Sequence, residues 1–247
     1  MQTMKSCLLL LLTVVLAADA GAQKVVDITQ GDADVIGQER ITGLVGGQVM
    51  SPVKYVKVIE GTPFFREEWL QGAIVLNGGT LLGHLDLRLD LLRHELHYKN
   101  GDGQEMIATT PVSAVTLSAG GGNFTFVPGT PWREVDKALD GAWLQVLVND
   151  KVSLLREDRK KLSENTPYGS STTEQTISDA DYYYLRMNGQ FLRIRTWSRL
   201  PEMLGDRKKA VLEFIATNHL TGSTPEEYTQ VVTYYNTLID SQKITKE

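Results

Sequence analysis

The chain is poor in cysteine, in basic charge and in long apolar runs, and each shortage excludes a class of protein. Cys7 is the only cysteine in 247 residues, which excludes a disulfide framework and metal sites built from several thiolates. Lys and Arg total 25 against 30 Asp and Glu, whereas a nucleic-acid binder needs a basic surface. The apolar run over residues 8–16 is shorter than the roughly 20 residues that span a bilayer. We therefore expect no nucleic-acid partner and no transmembrane segment in the mature chain.

Residues 1–22 have the order of a secretory signal peptide. Lys5 precedes the apolar run, and small residues follow it up to Ala22, so we expect cleavage before Gln23. Cys7 lies ahead of the apolar run rather than at the cleavage point, which excludes the acylation that anchors bacterial lipoproteins. The sequence thus predicts an exported, soluble protein, periplasmic or extracellular, whose mature chain has no cysteine.

A loosely ordered lead-in, residues 23–50 with one short strand near residues 41–45, is expected before a strand-rich body. The expected strands are Val53–Ile59, Gly72–Leu76, Leu81–Leu89, Glu95–Tyr98, Glu105–Thr109, Val112–Leu117, Phe124–Val127, Trp143–Val148, Val152–Leu155, Tyr182–Met187 and Gln190–Thr196. Turn residues such as Asn77-Gly78-Gly79 separate them. In Leu81–Leu89, leucines alternate with charged residues, which favours a strand, although Leu85, Leu89 and Leu92 also fit a helix.

The second half of the chain contains two hairpin signals, a polar stretch and a helical end. Asn149-Asp150 and Asn188-Gly189 are each flanked by strand-like segments, and Asn-Gly is the stronger signal. Residues 163–181 hold few core-forming residues and predict a long mobile loop. In residues 197–247, Asp206 is expected to cap one helix, and Thr224–Glu227 is a capping box that begins another.

These elements predict one α+β domain over residues 51–247. We expect a mainly antiparallel sheet or incomplete barrel, with the C-terminal helices packed on one face. An internal echo, Gly61-Thr62-Pro63 and Gly129-Thr130-Pro131, suggests two helix starts that each lead into a strand. Either a duplication or the chance recurrence of helix-start chemistry explains it.

The four histidines do not have the spacing of a recognised metal site. His94 and His97 are three residues apart, whereas a helical zinc-protease motif needs four. Glu95 and His97 could share a strand face, as could His84, Asp86 and Asp90, and either group would give at most a weak metal site of oxygen and nitrogen ligands. A solvated polar strand face is the simpler interpretation of both groups. Phosphate-binding and nucleophile-elbow motifs are missing. We expect no metal site, no cofactor and no identifiable catalytic residue.

A weak candidate for a ligand site lies on the Asn188-Gly189 hairpin. A two-residue turn places Tyr182, Tyr184, Arg186, Phe191, Arg193 and Arg195 on one side of the hairpin. Such an aromatic–arginine strip can stack on a ring or bind an anionic group. The alternative is cross-strand packing on a half-exposed sheet.

In several segments the chain resembles uncharacterised exported proteins of Gram-negative bacteria, a group with no known function. The resemblance rests on Gly61–Phe65, Gly72-Ala73, the Leu85–Leu89 strand, the Tyr182–Arg195 hairpin and Tyr234-Tyr235-Asn236, and covers most of residues 51–240. The order of strands and helices is also similar to that of periplasmic lipoprotein carriers, which hold acyl chains in an open barrel; this is an analogy of architecture.

The function expected from these features is that of a non-catalytic binding or interaction protein of the cell envelope. Its more specific form is a carrier that holds a lipid or other apolar ligand between sheet and helices. The alternatives are a hydrolase with a carboxylate-based site and a purely structural or adhesive protein. The partner is a small apolar ligand or an envelope protein, and the sequence does not choose between them.

Overall fold

A computed structural model describes residues 41–50 and 56–244, so the expected signal peptide and residues 23–40 lie outside the described residues. Twelve strands form one sheet in this part of the chain. They are β1 Gln48–Val49, β2 Val56–Glu60, β3 Leu70–Leu76, β4 Leu81–Asp90, β5 Glu95–Lys99, β6 Glu105–Ile107, β7 Val112–Ala119, β8 Gly122–Pro128, β9 Trp143–Val148, β10 Ser153–Asn165, β11 Thr173–Met187 and β12 Gln190–Ile194. Each of the eleven strands expected in the strand-rich body has its counterpart here, although residues 53–55 lie outside the described residues.

The sheet is open and almost entirely antiparallel. Its order is β1-β6-β5-β4-β3-β7-β8-β9-β10-β11-β12, and β2 adds a parallel pairing to the outer part of β11. Two meanders, β3 to β6 and β7 to β12, join where β3 pairs with β7. Residues 85–89 belong to β4, so the strand interpretation of the Leu-rich segment is confirmed and the helical one is wrong.

Helices stand at both ends of the described chain. They are α1 Ile41–Val45, α2 Leu200–Met203, α3 Lys208–Thr217 and α4 Pro225–Ile244, with 3₁₀ helices at Thr130–Trp132, Lys137–Leu139, Trp197–Arg199 and Gly205–Arg207. The backbone N–H of Glu227 donates to Thr224 Oγ1 at 3.4 Å, which confirms the expected start of α4. Asp206 caps no helix, because it lies inside a 3₁₀ helix and accepts a hydrogen bond from the Tyr235 hydroxyl. In the described part of the chain, we find no helix that is long and apolar enough to span a membrane.

Apolar side chains form three clusters around this sheet. The first packs α1 against β3 to β8, and the second packs the C-terminal helices against β9 to β12. The third lies on the opposite face of β9 to β12, under residues 130–142. Successive side chains of a strand point to opposite faces of the sheet, which explains why the second and third clusters are separate. Tyr183 and Leu185 belong to the second cluster, while Tyr184 between them belongs to the third. An α+β fold with C-terminal helices on one face of the sheet is therefore consistent with the expectation.

The sequence predicted a long mobile loop over residues 163–181, and this prediction is wrong. All 13 residues of β10 pair with β11, and the two strands end in a short turn around residues 166–172. The outer part of this hairpin is exposed on residues 161–165. Backbone pairing needs no apolar side chains, so an exposed hairpin can have the composition of a loop.

The expected lead-in is also better ordered than predicted where the structure describes it. Residues 41–45 form a helix rather than a strand, and Ile41 and Val45, four residues apart, are both fully buried. The echo differs in its two copies, because Thr130–Trp132 is a 3₁₀ helix whereas Phe64 forms an isolated bridge to Asp90. The duplication stays a hypothesis.

Candidate functional site

The Asn188-Gly189 hairpin has the register that the sequence predicted. Both turn residues have positive φ, 50° for Asn188 and 73° for Gly189, as the tightest hairpin turn requires. Tyr184 pairs with Arg193 and Arg186 with Phe191. Strand β12 ends at Ile194, so Arg195 lies beyond the ladder and is exposed.

The aromatic residues of the strip are packed against protein. Phe191 lies between two rings, with Trp132 stacked at 4.3 Å and Tyr184 at 5.2 Å between centroids. Tyr184 is fully buried. The Tyr182 ring lies between two guanidinium groups, Arg159 at 4.2 Å and Arg193 at 4.4 Å. These contacts are those of the cross-strand alternative, and ligand binding by the strip stays a prediction.

The strip joins a network of two carboxylates and two arginines that the sequence did not reveal. Asp136 Oδ2 accepts hydrogen bonds from Arg193 Nη1 at 2.9 Å and from Arg159 Nη2 at 3.2 Å. Glu157 accepts two bonds of 2.7 Å from Arg159, one on each carboxylate oxygen. The Tyr184 hydroxyl donates to either carboxylate, 3.0 Å from Glu157 Oε2 and 3.2 Å from Asp136 Oδ2.

The electrostatics of this network favour an ionised Asp136 and a neutral Tyr184. Burial disfavours the charge of Asp136, but the Ala138 N–H and the arginine partners outweigh it and lower the pKa of this carboxyl. Burial raises the pKa of Tyr184, and the neighbouring carboxylates Glu157 and Asp136 raise it further. The arginine charges are balanced within the network, so it offers little attraction to an anionic ligand.

A second polar cluster surrounds His97 on the β4–β6 end of the sheet. His97 is fully buried and has a carboxylate at each ring nitrogen, Glu105 Oε1 at 2.6 Å from Nδ1 and Glu95 Oε2 at 3.2 Å from Nε2. Asp90 is also fully buried, and ligand atoms of Asp90, Glu95 and His97 all lie within 4.8 Å of one another. Their strands are adjacent and Asp90 pairs directly with Glu95, so the register brings these side chains to one face. The prediction of a solvated polar strand face is wrong for Asp90 and His97, because both side chains are buried.

Arg88 and two aromatic rings hold the outer side of this cluster. Arg88 Nη2 donates to Glu105 Oε1 at 2.6 Å, and its guanidinium lies 3.9 Å from the Phe64 centroid and 4.7 Å from the Trp69 centroid. Phe64 also meets the His97 ring edge-on at 5.7 Å. Burial opposes the charge of Glu105, but hydrogen bonds from His97 and Arg88 lower its pKa. The segment between β2 and β3 therefore shields the His97 imidazole from solvent.

Beside Glu95 lies a groove that we call the proline groove. One part has a volume of about 240 Å³, and an adjoining part has a volume of about 580 Å³. The two parts share a wall of Pro111, Val112, Pro128 and Thr130. His94 and Glu95 line the smaller part, while Arg133 and Glu134 line the larger part. Burial lowers the pKa of His94, so its imidazole is neutral at pH 7.

Sequence reasoning identified the histidines and the hairpin but missed the partners that complete each cluster. Asp136 lies in the segment between β8 and β9, 57 positions from Arg193, and nothing local links them. Glu157 and Arg159 had a usable signal, because residues two apart share a face once residues 156–161 are recognised as strand. Glu105 lies two residues from the position that pairs with His97, a diagonal contact that required the β5–β6 register.

Comparison with known proteins gives no relative from which a function can be transferred. The chain matches no family model, no curated protein and no solved structure.

Proposed function

We propose that the protein is an exported, non-catalytic binding protein and that a small, mainly apolar ligand binds in the proline groove. The observation that carries this proposal is the shared wall of Pro111, Val112 and Pro128, which makes two neighbouring hollows one continuous surface. Volumes of about 240 and 580 Å³ together fall in the range of small-molecule sites, roughly 300–1,000 Å³. Apolar walls with polar groups at either end suit a ligand with an apolar body.

The groove is a better location for such a ligand than the space between sheet and helices. Leu200, Leu204, Val231 and Val232 have no exposed surface and pack against the sheet with the strand residues Leu154 and Leu185. Because these side chains fill the interface between helices and sheet, little room is left there for a ligand the size of an acyl chain. The proposal therefore keeps the binding role expected from the sequence and locates the ligand where β7 begins and β8 ends.

The surroundings of Asp136, Glu105 and Glu157 support a structural rather than a catalytic role for these three residues. A general acid needs a carboxyl whose pKa is raised toward neutrality, whereas the pKa values of Asp136 and Glu105 are both lowered. Glu157 is held by Arg159 through two short bonds. The partners of Asp136 and Glu105 hold these two carboxylates as anions, which suits a structural role.

One observation favours the hydrolase alternative. The Tyr184 hydroxyl is within hydrogen-bond distance of both Asp136 and Glu157, so two carboxylates converge on one proton donor. Such an enzyme would lose its activity when Glu157→Gln removes one carboxylate, whereas ligand binding in the groove would be unchanged.

The proposal is tested by identifying molecules that copurify with the protein. We expect native mass spectrometry to show a small apolar molecule near one equivalent. Pro111→Trp fills the exposed wall of the groove and should abolish this signal and weaken binding of the apolar dye N-phenyl-1-naphthylamine at least tenfold. Asp102→Trp adds the same ring at an exposed turn away from the groove and serves as the control. Recovery of no ligand, or equal dye binding by both variants, would contradict the proposal.

A further inference from the structure

We propose that Asp90, Glu95 and His97 form a binding site for one divalent transition-metal ion, with Zn²⁺ as the best match. This site goes beyond ligand binding in the proline groove and does not depend on it. The three ligands are one nitrogen and two carboxylates, and they come from adjacent strands. Zinc sites that keep a further position open also have three protein ligands.

The distances fit a shared ion. Two ligands that are each about 2.0–2.1 Å from a tetrahedral ion lie roughly 3.3 Å apart. His97 Nε2 and Glu95 Oε2 are 3.2 Å apart, so both can reach one ion with little movement of the backbone. The ligand atom of Asp90 lies within 4.8 Å of the other two, and a carboxylate can approach by rotating its side chain.

The surroundings of His97 have the form of a metal-ligand support. Histidines that bind metals usually donate the other ring N–H to a carboxylate, which fixes the tautomer and orients the ring. Glu105 Oε1 lies 2.6 Å from Nδ1 and can hold a proton there, and Nε2, 3.2 Å from Glu95 Oε2, is then the nitrogen that would bind the ion. Arg88 holds Glu105 in turn and is itself packed on Phe64 and Trp69. Glu105 is therefore a positioning residue for the proposed ligand.

Asp90 provides an independent indication of a cation site. Its Oδ1 accepts hydrogen bonds from the backbone N–H groups of Leu92 and Arg93, at 2.9 and 2.7 Å. Its Oδ2 is buried, and among the described residues no donor makes a hydrogen bond to it. Arg93 Nη1 lies 3.6 Å away, on a side chain that is 49% exposed and free to turn into solvent. Buried carboxylate oxygens are normally paired, and a metal ion would supply the partner.

The ligand types select the ion and its route of entry. An imidazole suits Zn²⁺, Fe, Cu and Ni, whereas Mg²⁺ prefers oxygen ligands and keeps most of its water. Glu95 is the most exposed of the three ligands, with 32% of its side-chain surface accessible, and it also lines the proline groove. The ion would therefore enter past Glu95.

Calorimetric titration of the chelator-treated, purified protein with ZnCl₂ tests the proposal. We expect saturable binding of one Zn²⁺ and a higher unfolding temperature in its presence, because an ion that binds only the folded state stabilises it. Mg²⁺ at the same concentration should give neither effect. Asp90→Asn keeps the Oδ1 acceptor of the turn, and Glu95→Gln changes a partly exposed side chain, so both should fold.

Each of these two variants should weaken Zn²⁺ binding at least tenfold, and Glu105→Gln by about 10–100-fold. His84→Asn removes an exposed imidazole from the same strand as Asp90 and should leave binding unchanged. The proposal is overturned if Zn²⁺ does not bind, if binding survives in both ligand variants, if Mg²⁺ binds equally well, or if His84→Asn abolishes it. Near-UV circular dichroism of each variant separates loss of the ligand from loss of the fold.

Discussion

Asn236 is a buried polar residue whose removal should destabilise the protein strongly. It is 3% exposed and lies on α4 in the helix–sheet interface. Its Oδ1 accepts a hydrogen bond from the backbone N–H of Val152 at 3.0 Å, and its Nδ2 donates to the carbonyl of Val152 at 2.8 Å. One side chain thus satisfies both main-chain groups of a buried residue 84 positions away.

The cost of Asn236→Ala follows from these two bonds. The change leaves a buried N–H and a buried C=O without partners, at about 1–3 kcal/mol each. Alanine recovers about 0.7 kcal/mol of helix propensity. We therefore expect the free energy of unfolding to fall by about 3 kcal/mol, which corresponds to a decrease of about 6–12 °C in the unfolding midpoint of a chain of this size.

Urea unfolding followed by circular dichroism measures this loss directly. Asn218→Ala is the matched control, because Asn218 is exposed and its side-chain amide donates to the carbonyl of Phe214. Its loss should stay below about 1 kcal/mol. Equal losses in the two variants, or a loss below 1 kcal/mol for Asn236→Ala, would refute the idea that this amide satisfies otherwise unpaired groups.

Two further predictions concern charge and backbone conformation. Since the pKa of Asp136 is lowered, its contribution is present above the ordinary carboxyl range and is lost as the pH falls through the lowered value. Asp136→Asn should therefore lower the free energy of unfolding by about 1 kcal/mol at pH 7 and by less at pH 3. If the difference in urea midpoint between the unchanged protein and the variant is as large at pH 3 as at pH 7, the stabilising role of the network is contradicted. Gly222 has φ +76°, and a Cβ there would lie 2.3 Å from the Trp197 ring, whereas Gly205 at φ +62° has open space. Gly222→Ala should lower the free energy of unfolding by about 3 kcal/mol and Gly205→Ala by about 1 kcal/mol. Equal decreases in the unfolding temperature of the two variants would show that the Trp197 ring moves to make room for the new methyl group.

The strands and hairpins were predictable because their signals are local. Alternation of leucines with charged residues marked β4, and Asn188-Gly189 fixed both the turn and the register of β11 with β12. Tyr228, Val231, Val232 and Tyr235 recur at the i, i+3, i+4, i+7 spacing of one helix stripe, and all four are buried in the helix–sheet cluster. Each of these patterns depends only on residues that are close together in the sequence.

The candidate sites were not predictable in the same way. Residues 156–161 are all charged, so Glu157 and Arg159 were left out of any expected strand although both lie in β10. The partner of His97 is Glu105, whose position depends on how β5 and β6 are aligned. Asn236 looked like an ordinary polar helix residue until Val152 was placed beside it.

The sequence by itself determined the position of most strands, the Asn188-Gly189 turn and the helical C-terminus, since propensity, alternation and turn chemistry act over a few residues. Only the tertiary structure decided which polar residues are buried and what each one meets. The cost of an unpaired buried charge or amide depends on partners that are far apart in the chain. The scarcity of cysteine excluded thiolate chemistry at once, but the grouping of His97 with Asp90 and Glu95 appears only when β4 and β5 are paired.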